Sequence, residues 1–331
     1  MTFEYRHVFV DDAATIAGPY EAEGPLKSYF DKTFKNLYHG EKTWETAEVK
    51  VLEDSIKTLL EKTKREKEEI DLIVSGDLLN QITSSCYSAE KFAFPFLGIY
   101  SACATSIEGM IIGSSLIDSG KVKNVIAATS SHNMSSEKQF RNPTEYGAPK
   151  PKTATFTATG GASILLTNEN TGIKVESSTI GRVMDYGQTD PFNMGAVMAP
   201  AAADTIYRHL TDLNRTPDYY DLILTGDLGA YGKEILIDFM KSEYQIDIKN
   251  NYNDCGTMLY DLEKQKEVQA GGSGPVCSAL VNYSVILQML KKKKIKKVLL
   301  VATGALFSPT FVYQHENILS IAHAISLEVI K

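Results

Sequence analysis

The chain has 331 residues, 43% of them hydrophobic, enough for two subdomains around one large core. Its net charge of −7 argues against nucleic acid as the main partner. No apolar run reaches the roughly 18 residues that a bilayer span needs, so any membrane association is expected to be peripheral or through a partner.

Residues 1–12 lack the basic-then-apolar pattern of a signal peptide. Residues 11–42, with Gly18-Pro19 and Gly24-Pro25, predict an irregular arm. Thr43 then caps a helix whose apolar positions Trp44, Ala47, Val51, Ile56, Leu59 and Leu60 recur at helical spacing. Residues 70–75 form the continuous apolar run of a strand covered on both faces. A strand over 94–101 leads into Ala102-Cys103, and a helix over 105–119 follows, closed by Gly120. A strand is predicted at 125–128 and a polar, aromatic loop at 137–147. Residues 154–167 read as two strands or one bent strand, broken at Gly160-Gly161. The second half predicts helices at 201–213, 233–244 and 278–290 and strands at 222–225 and 298–302, giving an α/β fold with mostly parallel sheets.

The chain also contains itself twice. Asp71-Leu-Ile-Val-Ser-Gly-Asp77-Leu78 is echoed by Asp221-Leu-Ile-Leu-Thr-Gly-Asp227-Leu228, an offset of 221 − 71 = 150. Cys103 and Cys277 each precede a helical stretch, and 277 − 103 = 174. Each half ends in a lysine-flanked apolar strand. One duplication with an insertion of 174 − 150 = 24 residues, expected after Tyr231, accounts for both offsets. The halves are 1–170 and 171–331.

The residues that carry chemistry sit where strands end. Cys103 lies where a strand turns into a helix, so it reads either as a dipole-activated nucleophile or as a small packing residue. His132 follows a strand at the end where α/β ligands collect, whereas His209 reads as a surface residue. Asp77 and Asp227 read as helix caps or as pocket acids. Around Gly272 and Ser273, the loop Ala270-Gly-Gly-Ser-Gly-Pro275 offers backbone N–H groups to an anion, or is a tight turn. Arg141 is the one guanidinium of the 137–147 loop and suits a carboxylate. The lysines at 291–294 read as a solvated helix C-terminus or as a contact for anionic lipid.

Ser101-Ala-Cys-Ala-Thr-Ser-Ile-Glu108, followed by a helix and a duplicate half, resembles the nucleophile turn of the thiolase and ketoacyl synthase superfamily. The resemblance implies a duplicated α-β-α-β-α layered fold. Condensing enzymes of this type pair the cysteine with a histidine and with an asparagine or second histidine. Here Gly226-Asp227-Leu228 and Gly271-Gly272-Ser273-Gly274 stand at those places. A narrower match rests on Ile73-Val-Ser-Gly-Asp-Leu-Leu-Asn-Gln81, Ala128-Thr-Ser-Ser-His-Asn133, the 137–147 segment, Asn193-Met-Gly-Ala-Val-Met-Ala-Pro-Ala-Ala-Ala-Asp204 and Asn253-Asp-Cys-Gly256. These resemble the stage V sporulation protein AD family of endospore-forming bacteria.

That resemblance implies a non-catalytic protein that binds dipicolinic acid (pyridine-2,6-dicarboxylic acid), free or as its calcium chelate. It implies work beside membrane proteins of the same sporulation operon, on the cytoplasmic side of the inner spore membrane, as a homodimer pairing through the 94–101 strand. No resident cofactor or metal is expected. The ligand is expected near Cys103, His132, Arg141, Asp77, Asp227, Gly272 and Ser273, with Phe140 and Tyr146 walling the slot. The alternative is a divergent acyltransferase or thioesterase that acylates Cys103.

Overall fold

The computed structural model describes residues 1–140 and 149–330. The first half runs β1 (Thr2–Glu4), β2 (Phe9–Ala17), β3 (Lys32–Thr33), α1 (Trp44–Thr63), β4 (Leu72–Gly76), α2 (Thr83–Phe92), β5 (Phe96–Gly98), α3 (Thr105–Asp118), β6 (Asn124–Ser131), α4 (Asn133–Phe140), β7 (Phe156–Thr157) and β8 (Gly160–Thr167). The second runs β9 (Ile173–Thr179), α5 (Met194–Asp212), β10 (Leu222–Thr225), α6 (Gly229–Tyr244), β11 (Tyr252–Asp254), α7 (Cys255–Leu259), β12 (Gly272–Ser273), α8 (Pro275–Val281), α9 (Leu287–Lys291), β13 (Lys297–Leu306), α10 (Pro309–Tyr313) and β14 (Leu319–Val329). A π turn, Asn282–Ile286, joins α8 to α9.

The main sheet reads β11-β10-β13-β14-β9-β2-β8-β6-β4-β5. Outward from its centre each half repeats one plan. β2 and β8 are antiparallel, as are β8 and β6, and then β6, β4 and β5 are parallel. β9, β14, β13, β10 and β11 follow the same pattern. The sheets are therefore mixed, not mostly parallel, because the returning strands β8 and β14 run against their neighbours. The duplication persists at single bonds. The Asp71 carboxylate accepts from the N–H groups of Lys123 (2.7 Å) and Asn124 (2.9 Å), and Asp221 accepts from Lys296 (2.6 Å) and Lys297 (2.9 Å). Gly120, at φ +72, closes α3, while Lys293 at φ +55 closes α9.

α3 packs on β4 and β6 of its own half and on β13 and β14 of the other; α8 packs on β6 and β8 and against α3. These two helices form the middle layer. Their residues Ile107, Met110 and Leu280 join Val125, Leu300 and Ile325 in one core that crosses both halves. Separate clusters lie under the outer helices: Leu52, Ile56 and Leu59 of α1 with Ile73 and Ile126, and Met198, Ile206 and Leu210 of α5 with Ile223 and Leu299. Each such side chain contributes about 1.5–3 kcal/mol when fully buried.

Four further expectations change. Residues 11–17, read as part of an arm, belong to β2, a central strand. α5 begins at Met194, ahead of 201, and carries Pro200 inside it. The insertion expected after Tyr231 enters in two steps, most of it after β11: the offset is 150 at β10, 252 − 96 = 156 at β11 and 174 at Cys277. α7 and the loop before β12 fill the larger step. His209 is wholly buried, bonded to the hydroxyls of Thr179 (2.8 Å) and Tyr220 (2.7 Å).

Candidate functional site

The turn between β5 and α3 builds the site. Ala102 takes φ +50, an uncommon conformation for a residue with a Cβ. The Thr105 hydroxyl pins it, donating to Ala102 O at 2.7 Å and accepting from Ser101 N–H at 3.2 Å. The turn presents Cys103, partly exposed, to a cavity of about 60 Å³, room for about four waters. Leu78, Tyr100 and Phe140 from the first half and Met194, Met198 and Phe307 from the second supply its apolar walls. Phe140 and Phe307 meet edge to face across the two halves, ring centres 6.0 Å apart.

Asp227, Ser273 and Gly274 form the polar end with Cys103. Asp227 follows β10 and is wholly buried. Its carboxylate accepts from the Thr303 hydroxyl at 2.7 Å, from Gly274 N–H at 3.2 Å and from the Cys103 thiol. Burial pushes its pKa up to about 7 against those donors, and the neighbouring Asp254 adds to the rise. No lysine, arginine or histidine is among the described residues that line the cavity. Glu137 lines it and pairs with Lys150 at 2.9 Å.

Of the expected site residues, the structure brings together Cys103, Asp227 and Ser273. Gly272 stands behind them, where a Cβ would sit 2.8 Å from the Tyr260 ring and 2.9 Å from Cys277 Sγ. The N–H of Gly274 is spent on Asp227, so it is not free for an anion. Asp77 lies outside the lining and caps α2: it accepts from Leu79 N–H (2.9 Å), Ser85 N–H (2.8 Å) and the Ser85 hydroxyl (2.7 Å). His132 also lies outside the lining. Both its ring nitrogens serve the backbone, Nε2 with Leu37 O at 2.7 Å and Nδ1 accepting from Met134 N–H at 3.2 Å. Arg141 and Tyr146 lie outside the described residues, and α4 takes up the start of the expected 137–147 loop.

Sequence reasoning missed Ser136, Met194, Met198 and Phe307. Phe307 follows β13, whose end was a legible place to look. Ser136 gives no signal in sequence, yet its buried hydroxyl lines the cavity and has no partner among the described residues.

A cysteine on a strand-to-helix turn, facing loops from a duplicate half, defines a thiolase-like protein. The 3-oxoacyl-[acyl-carrier-protein] synthase III of Aquifex aeolicus VF5 shares the fold at TM-score 0.59 and 14% identity, over 97% of this chain and 99% of that one. An OleA variant of Xanthomonas campestris gives TM-score 0.62 and 12% identity, over 98% and 99%. Identities this low speak to the fold alone. "Stage V sporulation protein AD" is the family description that matches residues 1–328. The protein of that name from Bacillus subtilis (strain 168) is 48% identical over 329 residues, 99% of this chain and 96% of its own length. The chain belongs to the stage V sporulation protein AD family.

Proposed function

We propose that this chain is a non-catalytic thiolase-like protein that holds dipicolinic acid, free or as its calcium chelate, in the cavity before Cys103 for delivery into the developing spore. The observation that carries this reading is the exchange of groups around the thiol. Where condensing enzymes hold a histidine, Asp227 meets Cys103; where they hold an asparagine or second histidine, Ser273 and Gly274 line the cavity. A carboxylate cannot form a thiolate–imidazolium pair. General-base help contributes about 10²–10⁴-fold and an oxyanion donor about 10²–10³-fold, so losing both leaves negligible condensing turnover. Walls of Tyr100, Phe140, Phe307 and two methionines suit the faces of a flat ring, and the hydroxyls of Ser136 and Ser273 suit a carboxylate; the cavity of about 60 Å³ widens to take a ligand of this size.

The protein acts beside membrane proteins of its operon, on the cytoplasmic side of the inner spore membrane, as a homodimer joined through β5. Among the described residues no helix is long and apolar enough to cross a membrane. Calorimetry with dipicolinate, with and without calcium, tests the reading. Ser273→Leu should abolish binding by bulk and Cys103→Ala should leave it within a few fold. A chain that binds neither form overturns the proposal.

A second reading is favoured by the Ala102 turn, which holds Cys103 open to the cavity as a nucleophile would be held. Acyl transfer from acyl-CoA to Cys103, seen as a mass increase absent in Cys103→Ala, would establish it.

A further inference from the structure

Asp227 carries an ionisable group into a cavity that has no cation of its own among the described lining residues. Each element packed around it adds acid or neutral groups. Cys103 comes from the turn before α3 and donates its thiol, and the Thr303 hydroxyl comes from β13. From the end of β11 comes Asp254, wholly buried, and from α7 and α8 come the buried thiols of Cys255 and Cys277. Across the cavity stand the Tyr100 hydroxyl and Glu137, whose charge Lys150 already offsets.

The two buried aspartates are not equally provided for. Asp254 accepts from the N–H groups of Leu228 (2.9 Å), Gly229 (3.0 Å) and Thr257 (3.3 Å) and from the Thr225 hydroxyl (2.7 Å). Asp227 has one hydroxyl, one N–H at 3.2 Å and a thiol, which is a weak donor. Donors favour the charged form, so of the pair Asp227 is the one that takes a proton first. A second carboxylate arriving in the cavity pushes further the same way, because two like charges sharing a dry site cannot both stay ionised.

We propose that Asp227 sets the net charge of the ligand that the cavity accepts: a free dicarboxylate enters together with a proton taken up at Asp227, whereas the same ligand carrying a divalent cation enters without one. The inference rests on the reading of dipicolinate as the ligand. The proton comes from solvent, adds to one Asp227 oxygen, and turns that oxygen from an acceptor facing the ligand carboxylate into a donor to it. The neutral calcium chelate brings its own compensation. Burial already holds the group near neutrality, pKa about 7, in the empty protein.

The sign follows directly. Well below pH 7 the proton is already in place; above it each bound dianion must bring one from solvent, so affinity falls with rising pH, approaching about tenfold per pH unit. The test is calorimetry on the full chain between pH 6 and pH 8. It uses dipicolinate with a chelator present, the equimolar calcium chelate, and calcium alone as control, in two buffers of different ionisation heat. Free dipicolinate should bind about fivefold more weakly at pH 8 than at pH 7, with uptake of about one proton at pH 8. The calcium chelate should change by less than about twofold and take up none. Asp227→Asn should bind free dipicolinate with flat pH dependence. Should that variant fail to fold, the proton count on the unaltered chain decides alone. A flat profile for free dipicolinate without proton uptake overturns the inference and leaves the ligand reading standing. Failure of both forms to bind at every pH overturns the ligand reading and this inference with it.

Discussion

Glu21 is wholly buried behind the glycine loop. The Tyr260 hydroxyl and Thr159 N–H donate to one of its oxygens, and the other has no partner among the described residues. Burial pushes its pKa from 4.5 up to about 7. Below about pH 4.5 the group is protonated whether the chain is folded or not, and costs nothing. Between about pH 4.5 and 7 the unfolded chain ionises while the folded one does not, so stability falls by up to about 3 kcal/mol as pH rises. The buried His209 and His323, with pKa lowered to about 3 and about 4, act oppositely and lose stability as pH falls below about 6.5. Glu21→Gln should therefore be read against the parent: denaturant titrations at pH 5.5 and 8 should show a smaller alkaline loss in the variant. An equal loss in both chains would mean that Glu21 is not protonated in the folded state. His132→Ala should cost about 1–3 kcal/mol, since it strands Leu37 O and Met134 N–H, and should leave dipicolinate affinity unchanged. Cys103, Asp227 and Ser273 were legible because a repeat or a strand end marks each of them. His132 shared that mark, but position along a strand does not say which way a ring turns once a backbone carbonyl is in reach.

Periodicity found the elements wherever one face, or both, was apolar without interruption. β2 escaped because Asp11-Asp12 interrupts its run. The strand slips register between Val10 and Ala13, and the Asp12 carboxylate meets Lys62 of α1 at 3.5 Å and Lys291 of α9 at 2.7 Å. A bulge turns Asp12 to these two lysines and Asp11 to Arg65 (3.6 Å) and leaves the strand intact. α5 was read too short, and with it Met194 and Met198 were lost from the expected site. β5 ends the sheet. Ile73 N–H bonds Pro95 O and Ile99 N–H bonds Ser75 O, so the backbone groups of Phe96 and Gly98 face away from β4. Leu97, 44% exposed, lies at the centre of this free edge. Two copies pairing about Leu97 would extend the sheet, and light scattering should give a dimer at micromolar concentration. Leu97→Lys, which sets two cations opposite each other, should give monomers. A monomeric parent would reject the pairing.

At the scale of the molecule the middle layer matters most. α3 and α8 belong to different halves and are buried in a core common to both, and β2 hydrogen-bonds β9 across the midline. The duplication was legible from three matched segments; that the copies share a sheet was not, because nothing in a repeat says which of its edges will meet. The Phe140–Phe307 contact joins the two halves at the cavity. Because the halves share one core and one sheet, the proposed ligand would be expected to pass by local rearrangement rather than by domain opening. Two rings touching edge to face make a light door: parting them costs about 0.5–1.5 kcal/mol, a roughly two- to tenfold penalty on the open state. Passage of the proposed ligand would then depend on parting two rings, one from each half. Phe307→Ala should speed dipicolinate entry and exit alike in stopped-flow traces, while the small-angle scattering radius stays the same with and without ligand.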